Sequence, residues 1–109
     1  MSGTMSRADT ARRFAALGDP HRLALVDRLA KSGERSISQL GGEAAISRQA
    51  LTKHLRVLEG AGLVRSTRFG REVRFRLDQQ AIAEAERFLA LVGRQWDDAL
   101  IRLKDHVGR

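Results

Sequence analysis

A segment near the end of the chain, residues 79–107, has apolar side chains at alternating intervals of three and four positions. They are Ile82, Ala85, Leu89, Val92, Trp96, Ala99 and Leu103. This spacing is typical of a helix that packs along one face against a second helix. At about 1.5 Å per residue such a helix is about 43 Å long, whereas a domain of about 100 residues has a radius of gyration near 13 Å. The helix must overhang the domain, and we expect a second copy of it to cover the stripe.

Two short helices are predicted in the middle of the chain. One begins at a serine cap, Ser36 or Ser38, and runs to about Ala45. The other covers 48–60 after the cap Ser47. Serine is a preferred residue at a helix N-terminus, since its hydroxyl accepts a backbone N–H bond. Because only about three residues separate the two helices, they are predicted to form a helix-turn-helix over 38–60.

After Ala61-Gly62 the apolar pattern changes from helical to alternating. Residues 63–69 are predicted to be a strand, and Gly70-Arg71 a tight turn. Beyond the turn, apolar Val73, Phe75 and Leu77 alternate with Arg74 and Arg76, which gives one apolar and one cationic face. The hairpin over 63–77, directly after a helix-turn-helix, is predicted to be a wing.

The whole chain is predicted to be mainly α with a small β-hairpin, a winged helix-turn-helix with a long C-terminal dimerisation helix over 79–107. Residues 1–5 are expected to be disordered and 6–109 to form one domain. Two earlier helices are predicted, over 7–17 and from Pro20 to Lys31, the second capped by Asp19. Gly93 interrupts the last helix and is compatible with a kink or with a close helix crossing.

Positive charge is concentrated in the predicted helix-turn-helix and wing. The 109 residues carry a net charge of +7. Residues 47–76 contain eight Lys and Arg against two Glu, a net charge of +6, and the other 79 residues together have +1. A local excess of this size favours a polyanionic partner over a uniformly solvated surface.

The predicted helix 48–60 has one apolar and one polar face. With Leu51 at the centre of the buried face, Leu55 and Leu58 lie beside it, and Gln49, Lys53 and Arg56 lie opposite. Amide, ammonium and guanidinium groups match base edges and phosphates. The margin residue His54 is expected to pack at a helix contact, with a phosphate contact as the second alternative and metal ligation as a remote third. We therefore interpret 48–60 as a recognition helix that enters a groove of duplex DNA.

Several segments of the chain resemble the ArsR-type (arsenic-repressor-like) family of winged helix-turn-helix regulators. The resemblance covers about 14–77 and rests on residues 16–23, 47–58, 61–64 and 69–75, in the order and spacing of that family. It implies a homodimeric bacterial transcriptional regulator, usually a repressor, whose dimer interface comes from its first and last helices. The C-terminal helix around Trp96 resembles a metal-independent branch of the family.

The resemblance and the charge pattern together give two sets of candidate site residues. The candidate DNA-binding residues are Ser47, Arg48, Gln49, Thr52, Lys53, His54, Arg56, Arg68, Arg71 and Arg74. The candidate dimer-interface residues are Phe14, Leu17, Leu89, Val92, Trp96 and Leu103. The roles of Gln49, Thr52, Lys53 and His54 in reading DNA, and of Arg71 in touching the backbone or minor groove, are also implied by the family.

The sequence gives little reason to expect a metal or a cofactor, and none is predicted. There is no cysteine, which excludes thiolate ligands. The last helix offers Asp97, Asp98, Asp105 and His106 without a spaced pair of histidines. A zinc or hard-cation site across the dimer is a minor alternative. His21, beside Pro20, is expected to be a first-turn residue of the helix and not a metal ligand. The three histidines are far apart in sequence.

Other classes of function fit the sequence less well. An RNA-binding or ribosome-associated basic module is the alternative to a DNA-binding repressor. Only five residues are aromatic, and Phe75, Phe88 and Trp96 lie on predicted core faces, which leaves little to stack on unpaired bases. The sequence contains no nucleophile–base pair and no phosphate-binding loop, so an enzyme is not predicted. No apolar run is long enough to span a membrane, and a cytoplasmic location is expected. The sequence does not identify an effector ligand.

Overall fold

The structure is a computed structural model that describes residues 6–42 and 45–108. The helices are α1 (Arg7–Leu17), α2 (Pro20–Ser32), α3 (Ile37–Gly41), α4 (Arg48–Gly60) and α5 (Gln79–Val107). The strands are β1 (Arg35–Ser36), β2 (Val64–Phe69) and β3 (Glu72–Leu77). The predicted fold class, a mainly helical winged helix-turn-helix with a long C-terminal helix, is confirmed. The predicted disorder of residues 1–5 lies outside the described residues.

Polar side chains begin the helices at the predicted caps. Ser47 Oγ accepts from the backbone N–H of Ala50 at 3.1 Å. Asp19 accepts from the N–H groups of His21 at 2.9 Å and Arg22 at 3.2 Å. These bonds satisfy donors that a helix leaves unpaired in its first turn.

The helix α3 is shorter than predicted. It ends at Gly41 and not near Ala45, which lies in a bend before α4. Two successive glycines disfavour continuation of a helix, at about 1 kcal/mol each against alanine. The guanidinium of Arg28 also donates to the carbonyls of Gln39 and Leu40 at 2.9 Å each, which satisfies acceptors at the end of α3.

The sheet has a third strand that the sequence pattern did not predict. The order is β1-β3-β2, and both pairs are antiparallel. The hairpin closes with Phe69 opposite Glu72, and Gly70 has φ +63°, a conformation that glycine adopts without a Cβ penalty. The strand β1 was missed because its two residues are too few to show alternation.

The core lies between the helix-turn-helix and the sheet. Its side chains come from the end of α1, from α2, α3, α4, β2 and β3, and from the first turns of α5. The fully buried apolar residues are Leu40, Leu51, Leu55, Leu58, Leu63 and Phe75, each with 0% exposure. Leu51, Leu55 and Leu58 form the predicted inner face of α4, which holds its polar face outward.

Only the start of α5 belongs to this core. Ala81 and Ala85 are buried, whereas Leu89 is 56% and Trp96 63% exposed. The helix is continuous through Gly93, and the structure extends 67 Å with a radius of gyration of 18.0 Å. The placement of Phe88 and Trp96 on core faces was therefore wrong for a single chain, because the helix leaves the domain before it reaches them. None of the described helices is apolar over enough residues to cross a bilayer.

Asp78 gives the fold a measurable pH dependence. Its carboxylate accepts from Ala81 N–H at 3.1 Å and from Arg65 Nε at 2.7 Å. Burial opposes ionisation, but the bonds from Arg65 and Ala81 outweigh it and lower the pKa of Asp78 below 3.8. A lowered folded-state pKa stabilises the fold above the unfolded value, and this contribution is lost as pH falls through the folded value.

Substitution of Asp78 tests that contribution. Asp78→Asn keeps a cap but loses the charge, so we expect its free energy of unfolding at pH 7 to fall by about 1 kcal/mol. Urea unfolding should show this gap at pH 7, and the gap should close as the pH falls through the lowered folded-state pKa of Asp78, below which the parent carboxyl is also neutral. Asp97→Asn, exposed on the same helix, is the control. A gap that does not change with pH would contradict this account.

Candidate nucleic-acid interface

The outer face of α4 is polar and accessible. Gln49, Lys53 and Arg56 are exposed on the side opposite Leu51 and Leu55. The side chains of Arg48 and Lys53 form no ion pair or hydrogen bond with any part of the chain that the structure describes. The amide of Gln49 and the ammonium of Lys53 on this face, with the guanidinium of Arg48 at its margin, are groups that contact base edges and phosphates.

Two other candidates on α4 already have partners within the chain. Thr52 Oγ donates to the carbonyl of Arg48 at 2.9 Å, so its hydroxyl is left to accept rather than donate. Arg56 pairs with Glu59 at 2.7 Å, and its guanidinium lies 5.7 Å from the ring centroid of Phe75. These contacts hold Arg56 toward the sheet and offset part of its charge.

Glu59 fastens the end of α4 to the wing. It accepts a bond from the hydroxyl of Ser66 on β2, in addition to the bond from Arg56. The Ser66 bond, with the Arg56 bond, lowers the pKa of Glu59 below 4.5 against the opposing effect of burial. The carboxylate therefore stays ionised at neutral pH and fixes the wing relative to the recognition helix.

The wing arginines differ in their availability. Arg71, at the tip, is exposed and has no polar partner among residues 6–42 and 45–108. Arg68 Nε donates to the carbonyl of Gly70 at 3.2 Å, a bond within the turn. Arg74 pairs with Glu72 at 2.7 Å and Glu34 at 3.7 Å, and stacks 4.4 Å from the ring centroid of Phe69. Of the three, Arg71 is the cation most available to a phosphate.

His54 lies in a cluster that sequence spacing did not reveal. Its side chain is 19% exposed, and its Nδ1 is 3.4 Å from Arg22 Nη1 and 3.8 Å from Asp19 Oδ2. Its ring stacks on that of His21, with centroids 5.4 Å apart. These are contacts between α4 and the first turn of α2, as expected of a packing histidine. His21 and His54 are far apart in sequence, and only the packing of the two helices brings them together.

Arg13 is a second feature that sequence reasoning missed. Its Nε donates to the carbonyl of Ala61, just after α4, at 3.2 Å. Its Nη1 lies 3.4 Å from the carboxylate of Glu84 on α5. Both side chains of this ion pair are largely buried. Arg13 therefore connects α1 and α5 to the C-terminal end of the recognition helix.

The candidate dimer residues follow α1 and α5. The rings of Phe14 and Phe88 are 5.8 Å apart, so the two helices lie side by side at this point. Leu17 is half-buried and packs against the core. The others form an exposed apolar stripe along α5: Leu89, Val92, Trp96 and Leu103. The stripe continues onto Phe88, Leu100 and Val107, which are also exposed.

Known proteins are similar to this chain in sequence and in fold. Residues 17–67 match the family model described as a helix-turn-helix domain. The chain is 42% identical over 64 residues to an HTH-type transcriptional regulator, YuzN, of Bacillus subtilis strain 168, a match over 53% of this chain and 70% of that protein.

Solved structures extend the similarity to most of the chain. An ArsR-like transcriptional regulator from Rhodococcus sp. RHA1 has a TM-score of 0.79 and 37% identity, covering 90% of this chain and 92% of that one. The homodimeric winged helix-turn-helix DNA-binding domain Mb0332 of Mycobacterium bovis has a TM-score of 0.63 and 28% identity, covering 92% of this chain and 94% of that one. The chain belongs to the ArsR family of winged helix-turn-helix transcriptional regulators.

Proposed function

We propose that the chain is an autoregulating repressor that binds an inverted-repeat operator in duplex DNA as a homodimer. The observation that carries this proposal is the exposure of Gln49 and Lys53 on α4, together with the exposure of Arg71 at the wing tip, which has no polar partner among the described residues. Such a surface combines base-edge readers with phosphate contacts, and the two kinds of contact have separable effects on binding. Repression is supported by similar proteins that are described as repressors, among them a probable mercury resistance operon repressor of Streptomyces lividans.

The homodimer is supported by the exposed stripe on α5. A single chain leaves large apolar side chains in water over several turns, including Leu89, Trp96 and Leu103. Apolar patches of this extent mark interaction surfaces. The similar domain from Mycobacterium bovis is homodimeric. A two-fold axis along α5 would present two copies of α4, so the operator should have half-sites about 10–10.5 bp apart or a multiple of that spacing.

The proposed activity also determines the partners and the location. The partners are operator DNA and a second copy of the chain. A regulator that binds a bacterial promoter acts in the cytoplasm, where the chromosome lies. The proposed activity is binding, with no catalytic step and no cofactor.

Two alanine substitutions should separate base contacts from phosphate contacts. Arg71→Ala removes a phosphate contact, so we expect binding to weaken about equally for all duplex sequences. Gln49→Ala removes a base-edge contact, so we expect a loss of about 1–3 kcal/mol of discrimination at particular base pairs. Fluorescence anisotropy with a panel of duplexes measures both effects.

A matched control and an RNA competitor complete this test. Lys31→Ala removes an exposed cation that pairs with Asp27 at 3.0 Å on α2; it should leave binding unchanged. Sequence preference that survives Gln49→Ala would contradict the role given to the face of α4. Equal affinity for single-stranded RNA and for duplex DNA would favour a basic RNA-binding module instead.

A further inference from the structure

We propose that α5 has a second contact face, opposite its apolar stripe, which pairs antiparallel with the same face of another copy of this chain. At about 100° per residue, one row of side chains lies within about 40° of a single direction, which is about 160° from Leu89 in the stripe. This row is termed the back seam. Its members follow one another at alternating intervals of four and three positions: Arg87, Leu91, Arg94, Asp98, Ile101 and Asp105.

The back seam has no partner within its own chain. All of its side chains are exposed, including Leu91 at 45% and Ile101 at 57%. The side chains of its two arginines and two aspartates form no ion pair or hydrogen bond with any residue that the structure describes. Arg94 and Asp98 are one helical turn apart, a spacing that permits an ion pair, yet they do not form one. These charges are therefore available to groups on another molecule.

The back seam is self-complementary when two copies run in opposite directions. A two-fold axis beside position 96 places opposite each other any two positions that are equally far from it in sequence. The resulting pairs are Leu91 with Ile101, Arg94 with Asp98, and Arg87 with Asp105. Each apolar side chain then faces an apolar one, and each cation faces an anion. An isologous contact contains every such pair twice.

The same charges disfavour the parallel arrangement. In a parallel pair in register each position faces its own copy, so Arg94 would lie against Arg94 and Asp98 against Asp98. Like charges placed opposite one another cost affinity, whereas opposite charges select the partner and fix the register. An isolated exposed leucine on a helix has no such meaning. The partner that matches this row of alternating charge is a second copy of the row.

The contact joins one dimer to the next, and in this respect it rests on the homodimer proposed above. The apolar stripe holds the two α5 helices of a dimer together, so their back seams point away from each other and each dimer can contact two others. Exposed ion pairs contribute little each, and only two kinds of apolar side chain take part. We therefore expect association beyond the dimer at concentrations on the order of 100 µM, or where neighbouring DNA sites hold dimers side by side.

Charge exchange between two variants tests this pairing. In Arg94→Asp the new carboxylate faces Asp98 of the other copy, and in Asp98→Arg the new guanidinium faces Arg94. Each variant alone should associate beyond the dimer at least about tenfold more weakly than the parent. An equimolar mixture of the two restores opposite charges across the contact, so it should associate more strongly than either variant and approach the parent. Sedimentation equilibrium of the full chain without DNA, from about 10 µM to about 1 mM, measures all four samples.

The mixture separates a contact between chains from effects within one helix, because both substitutions act on their own helices in the mixture as well. Lys104→Asp reverses an exposed charge between the back seam and the stripe; this control should associate like the parent. The proposal is overturned if the parent stays a dimer up to about 1 mM, if Arg94→Asp associates like the parent, or if the mixture associates no more than its components. A parent that is a monomer at low micromolar concentration, and whose self-association Arg94→Asp removes, would contradict the proposed homodimer and support the back-seam contact.

Discussion

Duplex binding is expected to weaken by about a thousandfold when the salt concentration rises from about 50 to about 200 mM. Each phosphate that a protein neutralises releases condensed counterions, so the logarithm of affinity falls in proportion to the logarithm of salt, with a slope of about −0.9 per phosphate. The slope therefore counts the cations that reach the DNA backbone.

The structure indicates how many cations are available for that role. Arg48, Lys53 and Arg71 are exposed and unpaired within the described parts of the chain, which gives about six for a dimer, the low end of the usual range of 6–10 phosphates. Arg56 and Arg74 are paired with carboxylates, at 2.7 Å in each case. If DNA binding released them from these pairs, the slope would be steeper.

Anisotropy titrations at four or five salt concentrations measure this slope. Arg71→Ala should reduce its magnitude by about 2 for a dimer, since each protomer loses one phosphate contact. Arg74→Ala should change it less, because that charge is already offset by Glu72 and Glu34. A slope near zero for the parent would contradict the electrostatic account of binding.

Trp96→Ala is expected to convert the dimer to a monomer at micromolar concentration and to abolish operator binding. The indole is 63% exposed in one chain, so it contributes little to the fold of a single protomer. If a second copy buries it, its removal costs about 3–5 kcal/mol per site, and a symmetric dimer has two such sites. Binding of two half-sites by one dimer is then lost with the dimer.

Sedimentation velocity of the variant and the parent measures this effect. Asp98→Ala, exposed on the same helix, is the control and should remain dimeric. Far-ultraviolet circular dichroism should show that the helix-turn-helix of Trp96→Ala is still folded, because the core around Leu51 and Phe75 is distant from the change. A folded parent that sediments as a monomer at micromolar concentration would end the dimer hypothesis.

Local patterns were enough to predict most of the fold. The heptad spacing predicted the span of α5, and Asp19 and Ser47 cap helices as helix-start rules predict. The inner face of α4 was also predictable, because a 3.6-residue period places Leu51, Leu55 and Leu58 together. Each of these features depends on residues within a few positions of one another.

The missed features depend on contacts between distant segments. The strand β1 exists because β3 pairs with it, and its two residues have no pattern of their own. Arg28 of α2 donates to a carbonyl at the end of α3. Arg13 of α1 contacts the carbonyl of Ala61 after α4 and the carboxylate of Glu84 on α5. Arg56 and Arg74 form ion pairs with carboxylates only a few residues away in sequence. A count of charges still cannot show which cations are paired in this way. The DNA-binding and dimer-interface residues therefore stay predictions, and the structure adds which of the cations are already paired within the chain.

The most direct test of the proposed function is selection of duplexes from a random library by the full chain. The parent should enrich an inverted repeat whose half-sites are about 10–10.5 bp apart, or a multiple of that spacing. Gln49→Ala should enrich the same repeat with relaxed preference at one or two positions in each half-site, while Lys31→Ala should enrich the parental repeat. Recovery of no repeat, or of one that Gln49→Ala selects as strictly as the parent, would contradict recognition by a two-fold pair of α4 helices.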